Sequence, residues 1–162
     1  MLKPFTTERL AIRQLQIQDA PELAGISDVP TVSQWMAFME GGFPLEKAEA
    51  LIGSQNDTKE YFFAVRLPDE TLIGAMGVID HADGSIEVGY WLGVDYQGKG
   101  YASEALLGTL AQIGADPTLA PRPIFAECRP DNAASIRLLT RTGFHATGRP
   151  GPRPNRIEFR LG

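Results

Sequence analysis

The chain has 162 residues, 43% hydrophobic and 22% charged, with a net charge of −5, which is the make-up of one domain, residues 1–162, with a core of its own. One cysteine excludes an internal disulfide and suits a reducing compartment. No apolar run approaches the roughly 20 residues of a membrane crossing, and the acidic balance speaks against a nucleic-acid-binding face. The opening Met-Leu-Lys-Pro-Phe-Thr-Thr-Glu-Arg lacks the apolar centre of a signal peptide. The expectation is a soluble cytoplasmic protein that binds neither nucleic acid nor membrane. Its charge leans towards cationic ligands, because acidic clefts attract them.

Leu10, Ile12 and Leu15 alternate with Arg9 and Arg13, which predicts a strand over residues 8–15. Asp19, followed three residues later by Glu22, reads as a helix N-cap with its reciprocal partner. That helix should run to about Ile26, stopped by Ser27, Asp28 and Pro30. Trp35, Met36, Phe38 and Met39 suggest a second short helix ended by Gly41 and Gly42, and Pro44 suits the first turn of a third through about Leu51. Tyr61–Arg66, Leu72–Asp80 and Ile86–Leu92 are separated by the turn chemistry of Pro68-Asp69 and Asp83-Gly84, and predict an antiparallel meander. Ala102, Ala105, Leu106, Thr109, Leu110 and Ile113 form one apolar face at helical period. Beyond Pro117, Pro121 and Pro123, a strand is expected over Ile124–Cys128. Asn132 then caps a helix that ends near Thr142, with Gly143 as its stop. Residues 148–156 read as a loop and Ile157–Leu161 as a last short strand. This order of elements predicts α+β in one layered domain.

Residues 86–102, Ile-Glu-Val-Gly-Tyr-Trp-Leu-Gly-Val-Asp-Tyr-Gln-Gly-Lys-Gly-Tyr-Ala, read as strand, glycine-spaced turn and helix start. A helix start exposes N–H groups with no partner inside the helix, and the macrodipole adds positive potential, so phosphate is favoured there. Gly98 and Gly100 remove side chains that would hold a diphosphate away, and Lys99 adds a cation. The pattern is neither Gly-x-x-x-x-Gly-Lys-Ser/Thr nor Gly-x-Gly-x-x-Gly, since Gly100 follows Lys99 and Ser103 stands where a third glycine belongs.

A second segment, residues 124–144, contains Glu127-Cys128-Arg129-x-x-Asn132-x-x-Ser135 and ends at Gly143-Phe144. With Gln97-x-x-Gly100-x-Ala102 it resembles the GCN5-related N-acetyltransferase (GNAT) superfamily. The opening Thr7-Glu8-Arg9-Leu10, with Arg13 and Asp19, is similar to the branch that acetylates ribosomal-protein N-termini. The resemblance covers about residues 6–145. It implies a single GNAT-like domain, a mixed and mostly antiparallel sheet flanked by helices, with two central strands splayed to hold the cofactor arm. It implies acetyl-CoA as co-substrate. Its expected contacts are Trp91, Leu92 and Val94 at the strand end, Gln97, Gly98, Lys99, Gly100, Tyr101 and Ala102 in the loop, and Asn132 and Ser135 in the next helix. Arg129 and Arg137 are offered to cofactor phosphates or a substrate carboxylate.

The activity implied is direct transfer of acetyl to a primary amine within a ternary complex. The acceptor is a protein N-terminus or a small amine, and the protein a monomer or homodimer. Such transfer needs a base for the amine, stabilisation of the carbonyl oxygen and a proton for the departing thiolate. Glu127 and Glu87 are the candidate bases, against the plainer reading that each is solvated or paired with an arginine. Many members carry a tyrosine acid where this chain has Leu139, and Ser135 is the expected substitute. Cys128 is expected to be inert packing, and His81 and His145 have no metal-ligand spacing. Trp35, Met36 and Phe38 are expected to touch the acceptor. A non-catalytic acyl-CoA-binding module and a mononucleotide-binding domain of another class are the alternatives.

Overall fold

In a computed structural model that describes residues 2–162, the chain opens with strands β1 (Phe5–Thr6) and β2 (Ala11–Gln14). Helices α1 (Ala20–Ser27), α2 (Pro30–Ser33), α3 (Leu45–Gly53) and α4 (Gln55–Thr58) follow. The meander is β3 (Glu60–Arg66), β4 (Leu72–Asp80) and β5 (Ile86–Leu92). Then come α5 (Tyr101–Ala115), β6 (Ile124–Cys128), α6 (Ala133–Arg141), β7 (Phe144–Pro150) and β8 (Ile157–Leu161). Together the strands make one open eight-stranded sheet in the order β1-β2-β3-β4-β5-β6-β8-β7. Every neighbouring pair is antiparallel except β5 and β6, which are parallel and bonded at Ile86↔Ile124 and Glu87↔Phe125 before they part. The α+β class and the splayed central strands are as expected. No helix among the described residues is long and apolar enough to cross a membrane.

Each face of the sheet has its own core. Ala105, Leu106 and Ile113 of α5 and Leu138 and Leu139 of α6 pack on Ile86, Val88, Ala126 and Cys128. On the other face Leu23 and Ala24 of α1, Val32 of α2, and Ala48 and Ile52 of α3 pack on Phe62, Ala64, Ala75 and Trp91. Burying a side chain such as Phe63 or Leu106 stabilises by roughly 1.5–3 kcal/mol before entropy is counted. Alternation therefore sorts the central strands. Even-numbered residues of β5 and β6 face α5 and α6, whereas Glu87, Trp91 and Glu127 face the opposite way.

Three local expectations change. Asp19 does not cap α1 with its side chain. Instead it accepts from the Gln16 N–H at 2.8 Å and pairs with Arg13 at 2.8 Å and Arg66 at 2.6 Å, while 1% exposed. The Trp35–Met39 segment holds one 3-10 turn at Ala37–Met39 rather than a helix, and the α-helical turn lies earlier, at Pro30–Ser33. Residues 144–150 form a strand, because β8 offers them a partner edge. The irregular part of the expected loop is confined to residues 151–156.

Burial works against ionising Asp19, yet its bonds from Arg13, Gln16 and Arg66 outweigh that and hold its carboxyl below the usual range. Its contribution to stability is therefore complete above the unfolded carboxylate value, about 3.9, and is lost as pH falls towards the depressed folded value. Asp19→Asn should lower stability at neutral pH by ~3 kcal/mol, since it leaves Arg66 short of a charge partner. Urea melts at several pH values check this: the gap between variant and wild type should close below about pH 4.

Candidate active site

The turn between β5 and α5 is built to keep its N–H groups free. Among the described residues, no acceptor bonds the N–H groups of Gly98, Lys99, Gly100, Tyr101, Ala102 or Ser103. Gly98 and Gly100 have φ of +73° and +82°, a left-handed backbone that turns successive N–H groups to one side at low strain. The Gln97 amide fastens the loop by donating to the Leu92 carbonyl at 3.0 Å. Glu104, in the first turn of α5, accepts from Thr7 Oγ1 at 2.6 Å and from Arg9 N and Nε at 2.7 Å each. Arg9 also donates to the Lys99 carbonyl and stacks on Tyr101, 4.5 Å from the ring centroid. The Thr7-x-Arg9 pattern thus clamps the start of the helix.

Beside this turn lies a cleft of about 460 Å³ between the parted strands, lined by residues of β5, α5, β6 and α6 and by the Trp35–Phe38 segment. Asn132 caps α6 by accepting from the Ser135 N–H at 3.2 Å. Ser135 Oγ lies 2.8 Å from Tyr90 Oη across the cleft. Burial raises the Tyr90 pKa well above the ordinary phenol value, so the phenol keeps its proton. Cys128, free and buried, also has its thiol pKa raised by burial, with Ser135 opposing, and is a poor nucleophile. Leu139 is 1% exposed in the core and offers no acid.

On the other face Glu87 and Glu127 converge on Arg153, which reaches in from the 151–156 segment. Arg153 Nη1 is 2.5 Å from Glu87 Oε1 and 2.5 Å from Glu127 Oε1, and its main-chain N–H donates to Glu127 Oε2 at 3.1 Å. A Cβ at Gly151 would stand 2.3 Å from Glu127 Oε2 and 2.9 Å from Arg156 Cβ, so a larger residue here would displace the carboxylate or the segment that crosses it. Burial alone would lower the Arg153 pKa, but its bonds to Glu87 and Glu127 outweigh that and raise it. His81 Nε2 lies 2.9 Å from Glu87 Oε2.

The structure brings most of the expected residues to this cleft. Leu92, Gln97, Gly98, Gly100, Tyr101, Ala102, Asn132, Ser135, Glu87 and Glu127 all line it. Three stand differently. The Lys99 ammonium is drawn back onto the Asp95 carbonyl at 2.8 Å, and Val94 is 50% exposed in the 3-10 turn Val94–Tyr96. Trp91 lines the cleft too, but its indole is on the face opposite α5 and α6, where it donates to Ser27 Oγ at 2.8 Å and packs edge-on against Phe38. Two guanidinium groups of α6, Arg137 and Arg141, line the cleft instead, and Arg141 reaches to 3.3 Å from Ser103 Oγ. Arg129 is engaged elsewhere, with Asp131 and over the Trp35 ring.

Tyr90, Arg153 and Arg156 were not singled out from the sequence. Strand alternation would have placed Tyr90 on the α6 face, but nothing local points to Arg153. Among the described residues, no group of three or more His, Cys, Asp or Glu could hold a metal ion. The free N–H groups, the open backbone at Gly98 and the adjacent guanidiniums fit the diphosphate of coenzyme A.

Comparison with known proteins agrees with this geometry. The sequence model of the acetyltransferase (GNAT) domain matches residues 9–145. An uncharacterized N-acetyltransferase, p20, of Bacillus licheniformis is 33% identical over an aligned stretch of 155 positions, and the match covers 91% of this chain and 85% of that protein. A GNAT-family acetyltransferase from Bacillus anthracis superimposes with a TM-score of 0.83 at 24% identity, over 98% of this chain and 97% of that one. The ribosomal L7/L12 α-N-protein acetyltransferase RimL, solved with coenzyme A, does so with a TM-score of 0.82 at 16% identity, over 98% of this chain and 96% of that one.

Gly100→Asp should weaken coenzyme A binding by at least about tenfold, because it sets a carboxylate among the unpaired N–H groups that would favour a phosphate. Gly100→Ala, which adds chiefly the strain of a left-handed backbone, should cost less. Calorimetric titration of both variants checks the order.

Proposed function

The chain belongs to the acetyltransferase (GNAT) domain family, and from that premise we propose that it moves acetyl from acetyl-CoA to a primary amine by direct attack in a ternary complex. The observation that carries this reading is the run of free N–H groups from Gly98 to Ser103 opening onto the cleft. Acetyl-CoA supplies a thioester carbonyl and a thiol leaving group.

The chain's own groups divide the remaining work. The loop N–H groups, with Arg137 and Arg141, hold the diphosphate. With Tyr90 as the donor in its 2.8 Å bond to Ser135 Oγ, a bond either hydroxyl can donate, the Ser135 proton is free to face the departing sulfur. Glu127 takes the amine proton, directly or through water. It is preferred to Glu87 because Glu87 sits at the last bonded pair of β5 and β6, whereas Glu127 lies two residues beyond, in the opened gap. Each Glu127 oxygen keeps a lone pair after its bond to Arg153. The aromatic wall of Trp35, Phe38 and Trp91 gives the acceptor an apolar side.

Leu139, where the resemblance leads one to expect a tyrosine acid, favours a second reading, a module that binds acyl-CoA without turning it over. Free-thiol release from acetyl-CoA with a panel of amino acids, peptides, polyamines and aminoglycosides separates the two. The enzyme should release thiol above the amine-free background, and the module should not.

Glu127→Gln should cut kcat by about 10²-fold at neutral pH, the usual worth of a general base, with coenzyme A affinity unchanged. An unaltered rate moves the role to Glu87 or to bulk water. Tyr90→Phe should lower kcat less than Ser135→Ala, about tenfold, since it removes one hydrogen bond and not the donor itself. Stopped-flow thiol detection with each variant gives the ranking.

A further inference from the structure

The charges lining the cleft run against the charge of the chain. The protein carries −5 overall. Its cleft nonetheless sets two carboxylates, Glu87 and Glu127, against four guanidinium groups, Arg137, Arg141, Arg153 and Arg156. The acidic composition therefore does not make an acidic site. Arg137 and Arg141 stand on α6, with Arg141 reaching Ser103 at the free N–H turn, and the diphosphate of the reading above neutralises them. Arg153 and Arg156 stand with the glutamates and Trp35, where no cofactor phosphate is needed.

Arg153 also covers the carboxylates. Its side chain is 31% exposed, against 6% for Glu87 and 5% for Glu127. The guanidinium is thus the most accessible of the three groups. Arg153 Nε and Nη2 have no protein acceptor among the described residues, so the fork keeps an open edge. Arg156 donates to the carbonyls of Pro154, Asn155 and Trp35, and among the described residues its charge has no carboxylate partner. An open guanidinium edge matches a carboxylate in two parallel bonds, and it repels a second ammonium on the same substrate.

We propose that the acceptor is a primary amine that also carries a carboxylate. The carboxylate docks on the open edge of Arg153 and on Arg156, and the amine is turned towards Glu127. This rests on the acetyl-transfer reading above and narrows its substrate class. A free acidic amino acid and a peptide that begins with an acidic residue present the same chemistry.

Matched acceptors test the proposal in the thiol-release assay at saturating acetyl-CoA. Glutamate is set against its diamide, a peptide beginning with Asp against the same peptide beginning with Asn, and both against spermidine. In at least one pair the carboxylate should raise kcat/KM by about tenfold or more, the worth of one charge-assisted bond, chiefly through KM. The pair that responds identifies free amino acid or peptide as the source. Arg156→Ala and Arg153→Lys should each erase the preference and leave coenzyme A affinity intact. Arg153→Ala, where its melting temperature shows a folded protein, should turn the preference towards spermidine by uncovering Glu87 and Glu127. Equal use of both members of each pair by the wild type, or spermidine as its best acceptor, overturns the proposal while the acetyl-transfer reading stands. Thiol release with none of the amines overturns that reading and this inference with it.

Discussion

Two parallel strands that stay bonded for two residue pairs and then part are the constraint on which the site depends. Past Glu87↔Phe125, β5 keeps its bonds to β4 and β6 keeps its bonds to β8, but neither bonds the other. Backbone N–H and C=O groups left unpaired inside a protein are costly. A gap at the centre of a sheet therefore persists where water or a ligand satisfies its edges. Here it widens into the cleft, and the chain leaves β5 at its open end to enter the free N–H turn.

Strand alternation then divides the chemistry between two faces. Even-numbered residues send Tyr90 and Cys128 towards α6, where Ser135 waits. Odd-numbered residues send Glu87 and Glu127 to the side of the aromatic wall. A thiol on one side and an amine on the other would meet in the gap, each next to the groups suited to its proton. Arg153 joins the two glutamates into one network, so a change at any of the three alters the others.

The two ends of this arrangement are held by distant parts of the chain. Glu104 ties the opening Thr7–Arg9 segment to the first turn of α5, which fixes the turn that would hold phosphate. Arg156 donates to the Trp35 carbonyl and Arg129 stacks on the Trp35 ring, which fixes the aromatic wall of the cleft. Rigid placement of this kind matters because small displacements of reacting groups cost rate steeply.

The strands Leu72–Asp80, Ile86–Leu92 and Ile124–Cys128, the Asn132 cap and the glycine turn were legible in the order of residues alone. Their signals are local: alternation, a capping side chain, glycines at left-handed backbone positions. Asp19 departs from its cap pattern, which is local, because it serves Arg13 and Gln16 nearby and also Arg66, 47 positions away. The strand at 144–150 was missed because Pro and Gly mark a loop unless a neighbouring edge recruits them, as β8 does. The pairing of Tyr90 with Ser135 spans 45 positions, and that of Arg153 with Glu87 spans 66. Such contacts depend on the order of strands in the sheet, which no short-range pattern encodes. The sequence by itself determined which segments bend or extend and where a helix start follows a glycine turn, because backbone preferences act over a few residues. The tertiary structure alone decided that an acidic chain has a guanidinium-lined cleft with its carboxylates covered, because charge at a site is set by which side chains the fold brings together.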